Sequence, residues 1–160
     1  MLVGLALMLA GCGYRPLYGG IDGNSSVAAE LAAISIPEPD GRTAQLIRNE
    51  LISTISPAGS NGGVGPYVLE IEPEKFDDPA IIAFNADDIR RTVKLKVDFR
   101  LRDRAAGKVV YSGKSFSQVS YDRVQAPFAD LQARTNAEER AAREIGGDIR
   151  TRLAAYFASR

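Results

Sequence analysis

From Arg91 to Arg102 apolar and charged residues take turns. Val93, Leu95, Val97, Phe99 and Leu101 alternate with Lys94, Lys96, Asp98, Arg100 and Arg102. A period of two places the first set on one face of a β-strand and the second on the other, the pattern of a half-buried antiparallel strand. Asp103-Arg104-Ala105-Ala106-Gly107 is turn-like, and Val109 to Tyr121 returns as a second strand. Its alternation slips near Gly113, where a bulge is expected. Tyr67 to Glu72 alternates as well, with Tyr67, Leu69 and Ile71 on one side, and residues 73–90 read as strand extension plus loop. Leu31 to Ile36 reads as a short strand closed by Pro37 and Pro39.

Two stretches carry the helical period. Ala44, Ile47, Leu51 and Ile55 recur at spacings of three and four, which predicts a helix from about Gly41 to Ile55 with Asp40 as N-cap. Pro127 opens a long helix from about Phe128 to Ala158, and its expected buried stripe is Leu131, Thr135, Ala142, Ile145, Ile149, Leu153 and Tyr156. Glu139 with Arg143, and Asp148 with Arg152, lie four apart on its outer face, acid first. Gly146-Gly147 predicts a kink or a close helix–sheet contact. The resulting order is β-α-β-β-β-α. It predicts a two-layer α+β sandwich: a mostly antiparallel four-stranded sheet with two helices packed on one face.

The N-terminus is organised differently. Residues 1–11 are apolar and uncharged, the length of a signal-peptide core and shorter than the roughly 20 residues a membrane span needs. Leu9-Ala10-Gly11-Cys12 resembles a bacterial lipobox, which implies cleavage before Cys12 and acylation of that residue. A basic n-region is expected upstream of Met1. Residues 12–30 read as a lipidated tether and 31–160 as one α+β domain. One acyl chain binds a membrane only marginally, so a cysteine carrying two or three makes a permanent anchor. Gly13, where an Asp would signal inner-membrane retention, resembles an outer-membrane address.

Composition narrows the chemistry. Lys plus Arg equal Asp plus Glu at 20 each, which argues against a generic nucleic-acid binder. The chain has no His and no Cys besides Cys12, so the commonest general base and the thiolate metal sites are missing. No metal and no cofactor is expected, and no enzymatic activity. Ser112-Gly113-Lys114-Ser115 looks like the end of a phosphate-binding loop, but Lys108 stands where the motif needs Gly, and the stretch lies within a strand. Asp77-Asp78 and Asp87-Asp88 lack the alternating ligands of a calcium loop and read as solvated charge. Lys94, Lys96, Arg100 and Arg102 allow two readings, an ordinary solvated sheet face or an anion-contacting surface.

Cys12-Gly13-Tyr14-Arg15-Pro16-Leu17-Tyr18-Gly19, Arg48-Asn49-Glu50-Leu51 and Ala133-Arg134-Thr135-Asn136 together resemble motifs of the LptE lipopolysaccharide-assembly lipoproteins, of the alphaproteobacterial type. The resemblance spans essentially the whole mature chain. It implies a non-enzymatic lipoprotein, anchored through Cys12 in the outer membrane and facing the periplasm or a barrel lumen. Its implied partners are the outer-membrane β-barrel LptD, lipopolysaccharide and the membrane itself, with no nucleic acid. The family's basic residue near the last helix corresponds to Arg134. The family also carries a basic residue after an aromatic, ahead of the long strand. Here Asn85 follows Phe84, and Arg91 is the nearby candidate for lipopolysaccharide contact. A rival expectation is an auxiliary lipoprotein of an ABC-type lipid-trafficking system, which also combines an anchor with a small α+β domain.

Overall fold

The alternating stretch at Arg91–Arg102 lies at the heart of a four-stranded sheet in the computed structural model, which describes residues 24–55, 65–78 and 90–160. The elements run α1 (Asn24–Ala32), β1 (Ile34–Ser35), α2 (Arg42–Ile55), β2 (Tyr67–Asp78), β3 (Arg90–Asp103), β4 (Val109–Asp122) and α3 (Pro127–Ala158). The strands lie in chain order, β1-β2-β3-β4. The two long hairpin partners of β3 are antiparallel to it. β1 is parallel to β2, with Ile34 beside Tyr67 and Ser35 beside Val68. The sheet is therefore mixed rather than mostly antiparallel. The reason is connectivity: α2 crosses over between β1 and β2 and returns the chain to start its next strand in the same direction.

The N-terminal end of the domain also departs from the sequence reading. Residues 24–32 form a third helix where a tether is expected, and the strand predicted from Leu31 shrinks to two residues. Val27 and Leu31 lie four apart and pack against the core, and that burial holds the helix. Gly41, with φ of 87°, enters α2, and the first helical bond runs from the Gln45 N–H to its carbonyl. The cap is thus Gly41 and not Asp40.

The core lies between the sheet and the helices. All five apolar residues of β3 are buried, as are Ala44, Ile47, Leu51 and Ile55 of α2, the face the spacing predicts. On α3 the buried residues include Ala137, Ala141, Ala142, Ile145, Ile149, Leu153, Ala154 and Phe157, whereas of the predicted stripe Leu131 is 56% exposed and Thr135 and Tyr156 are half-buried. Its N-terminal turns overhang the strand ends. Contacts between α3 and β4 pair Ser115 with Asp148, Ser117 with Glu144, and the Ser120 carbonyl with Arg140. Two strand residues and one helical turn advance by similar distances, about 6 Å. The strand therefore ends before the helix reaches Leu131.

Two glycines mark close approaches. A Cβ on Gly146 would lie 2.7 Å from Glu50 Cγ, so the close contact predicted around Gly146-Gly147 is with α2 and not with the sheet. A Cβ on Gly113 would lie 2.6 Å from Phe99 Cζ, because the Phe99 ring covers its cross-strand neighbour. The irregularity in the β3–β4 register falls between Leu101 and Arg102, opposite Val110, rather than at Gly113. Gly113 interrupts the apolar alternation because an aromatic ring occupies the space of its side chain.

Gly113→Ala forces a buried ring to move and should destabilise the domain by about 1–3 kcal/mol. Gly147→Ala meets nothing within 4 Å and should stabilise it by about 0.5–1 kcal/mol through helix propensity. Urea midpoints of the two variants against the parent check both signs.

Candidate functional site

The outward face of the sheet is a ladder of charges. Arg102 Nε lies 3.2 Å from Glu70, Arg100 donates two bonds of 3.2 Å to Glu72, and Lys96 reaches Glu74 at 3.3 Å. Lys114 of β4 reaches Asp98 at 3.3 Å. Glu72 sits directly opposite Asp98, a like-charge pair that is relieved by cations on either side. Lys96, Arg100 and Arg102, three of the four cations of β3 that allowed an anion-contacting reading, are thus matched by carboxylates of β2, and this part of the surface is close to balanced. Ser112-Gly113-Lys114-Ser115 is likewise absorbed by packing: Lys114 pairs with Asp98, Ser115 hydrogen-bonds Asp148 at 2.7 Å, and Gly113 lies under Phe99. Asp77 and Asp78 are residues of β2, and Asp87 and Asp88 lie outside the described residues.

A seam of hydroxyl–carboxylate bonds joins α3 to β4. Ser115 and Ser117 are each 3% exposed, and their hydroxyls donate to Asp148 and Glu144 at 2.7 and 2.6 Å. Asp148 also binds Arg152 one turn on, at 2.9 Å. That hydrogen bond and the attraction between the charges raise the Arg152 guanidinium pKa above its ordinary value. At the C-terminus Arg160 donates to the Tyr67 hydroxyl at 3.1 Å and lies over the Tyr156 ring, and the Tyr67 bond raises its pKa.

Because α3 runs antiparallel to β4, its first turns stand at the end of the molecule where β3 begins and β4 finishes. Both predicted anion-contacting residues lie there. Arg91 lies opposite Tyr121 on the helix-facing side of β3, and its Nε is buried with no hydrogen-bond partner among the described residues. Arg134 on α3 binds the buried carboxylate of Glu138 at 3.2 Å. Arg140 donates to the Ser120 carbonyl, and Arg90 pairs with Asp122 at 3.0 Å. At the same end Val124, Phe128 and Leu131 are 45%, 74% and 56% exposed. Cys12 lies outside the described residues. Sequence reasoning missed Glu138 and Arg140, since a charge within a helix carries no sign of which strand it will meet. A separate groove of about 230 Å³ runs between α2 and α3, lined by Leu46, Asn49, Glu50, Glu139, Ala142 and Arg143. Among the described residues no acidic or cysteine side chains group to hold a metal ion.

The family model for lipopolysaccharide assembly, LptE, matches residues 31–153. The chain belongs to the LptE family. The match takes in every strand and most of α3. A candidate lipoprotein from Caulobacter crescentus CB15 has the same architecture, with a TM-score of 0.74 and 28% identity over 83% of this chain and 96% of that one. A minor lipoprotein from Acinetobacter baumannii shares the fold, with a TM-score of 0.58 and 16% identity over 77% of this chain and 89% of that one. No curated protein matches the chain. Family membership makes this a lipoprotein involved in lipopolysaccharide assembly. No helix among the described residues is long and apolar enough to cross a membrane.

The balance of the outward face has a measurable consequence. A double-mutant cycle on Arg102 and Glu70 should give a coupling of about 0.2–1 kcal/mol, because both side chains are partly solvated. The coupling should shrink as salt is raised to about 1 M. A coupling well above this range, insensitive to salt, would show that the ladder is held dry.

Proposed function

We propose that the protein works in the outer membrane, anchored through Cys12, as the partner that docks within the lipopolysaccharide-exporting β-barrel LptD and assists its assembly. In this reading it binds lipopolysaccharide and performs no catalysis. The observation that carries the reading is the family match across residues 31–153. The chemistry of the α3 N-terminal end supports it. Lipopolysaccharide joins phosphates to acyl chains, and this end presents Arg91 and Arg134 beside exposed Val124, Phe128 and Leu131. Guanidinium groups grip phosphate with paired, charge-assisted bonds. The balanced sheet face supports a role against protein, since a surface with both signs of charge meets a wall of mixed charge without net repulsion. The absence of His and the single Cys in the sequence favour binding over acid–base or thiol chemistry.

Arg91 and Arg134 should contribute unequally to lipopolysaccharide binding. Arg91 Nε has no hydrogen-bond partner among the described residues to give up, whereas Arg134 must share itself with Glu138. A charged hydrogen bond contributes about 1.5–3 kcal/mol, so Arg91→Ala should weaken binding by about tenfold or more and Arg134→Ala by less. Mild-detergent co-purification of the tagged protein tests the partner: an equimolar β-barrel supports the reading, and an ABC permease complex would replace it with a lipid-trafficking role. Wild-type affinity for lipopolysaccharide, equal in both arginine variants, would remove these residues from the site.

A further inference from the structure

We infer that the N-terminal stretch Tyr14–Tyr18 docks in the groove between α2 and α3, so that the tether is a strap which fixes how the domain sits against its membrane. The groove measures about 230 Å³, less than the roughly 300–1,000 Å³ of ordinary small-molecule sites. It suits single side chains of an extended peptide. Its floor is apolar, with buried Ala142 and half-buried Leu46. Its rim carries Glu50, Glu139 and Arg143, so acid is in excess. Neither carboxylate has a hydrogen-bond or ion-pair partner among the described residues. The stem of Glu50 lies against Gly146, where a Cβ would collide with it, and this seat keeps the side chain at the groove.

The chain itself selects the occupant. Three stretches of it lie outside the described residues. Residues 56–64 carry no charge, and residues 79–89 carry only the acids Asp87 and Asp88, which Glu50 and Glu139 repel. Residues 1–23 bring one cation, Arg15, set between Tyr14 and Pro16-Leu17-Tyr18. A plain flexible spacer is made of Gly and Ser. Here aromatic and aliphatic side chains match the apolar floor, and one guanidinium serves both carboxylates with charge-assisted bonds. Pro16 lowers the cost of ordering, because its φ is already fixed.

The reach is sufficient. α1 leads into β1, whose Ile34 pairs with Tyr67, and the Tyr67 ring meets Phe157 near the end of α3. From Phe157 the groove lies about 24 Å back along the helix. The chain from Arg15 to Asn24 spans up to about 30 Å. Covalent connection gives the segment an effective concentration of about millimolar, so weak contacts are enough. With the strap docked, only Gly13 separates it from Cys12. The helix layer then faces the membrane and the charge ladder faces away. That orientation rests on acylation of Cys12, whereas the docking itself does not.

The test uses the mature lipidated protein in mild detergent, where acylated Cys12 leaves introduced cysteines as the only free thiols. Gly19→Cys is combined with Asn49→Cys at the groove, or with Gln118→Cys on the outward sheet face. The inference expects the Asn49 pair to form its disulfide about tenfold faster than the Gln118 pair. Arg15→Glu should slow the Asn49 pair about fivefold, and adding Glu139→Lys should restore the rate by reversing the charge pair. Equal rates for the two cysteine pairs would overturn the inference, as would a rate indifferent to Arg15→Glu. A disulfide-linked dimer from Asn49→Cys alone would give the groove to a second copy. Protection of that thiol only on adding lipopolysaccharide would give it to that ligand, and either result overturns the strap. Mass spectrometry of the N-terminal residue checks the anchor separately, and no barrel is present, so failure of the strap is distinguishable from failure of the proposed function.

Discussion

One-sided burial of β3 is the constraint on which the rest of the molecule depends. Its five apolar side chains, Val93 to Leu101, are all essentially inaccessible to water, and its polar set faces outward. A strand with one dry face needs a cover, and α2 and α3 supply it with Ile47, Leu51, Ile145, Ile149 and Leu153. Burying each such side chain contributes about 1.5–3 kcal/mol, more than any single surface ion pair. The close approach of the two helices follows from the same need. Small residues on α3 (Ala137, Ala141, Ala142 and Gly146) let α2 and the sheet come near, and Gly146 leaves room for the stem of Glu50.

Function follows from what that core leaves uncovered. The helices hide one face of the sheet, and on the other face β2 sets a carboxylate against each of Lys96, Arg100 and Arg102. Strong unbalanced charge is therefore not the feature of the broad surfaces. What stands out is the end where α3 outruns the strands. There, arginines and exposed apolar groups lie together beyond the last described residues of β4. The chemistry suited to an amphiphile is thus a by-product of a helix longer than the sheet it covers. The charge ladder complements this end: it offers protein partners a polar face that costs little to hydrate until it is covered.

Much of this was legible in the chain. The alternation of β3, the 3–4 spacing of α2, the Pro127 start of α3 and the hairpin turn each stem from a local rule and correspond to observed elements. The motifs around Arg48 and Arg134 pointed to the family that the 31–153 match establishes. Errors arose wherever the answer lay in a partner distant in sequence. Gly113 looked like a bulge because Phe99 was not yet above it. The Lys and Arg of β3 left two readings open, because Glu70, Glu72 and Glu74, which pair with Arg102, Arg100 and Lys96, lie more than twenty residues away. Residues 24–30 read as tether and Leu31 to Ala33 as strand, because only the packing of Val27 and Leu31 makes this stretch a helix.

The sequence by itself determined which residues turn inward, since side-chain period is a property of the local backbone and needs no partner. It also determined the lipobox reading and the poverty of catalytic groups, which are matters of residue type. Only the tertiary structure decided the parallel pairing of β1, the neutralisation of the sheet face and the convergence of Arg91 with the first turns of α3. Those depend on strand register and on the length of one element relative to another, and neither quantity is written in any single segment.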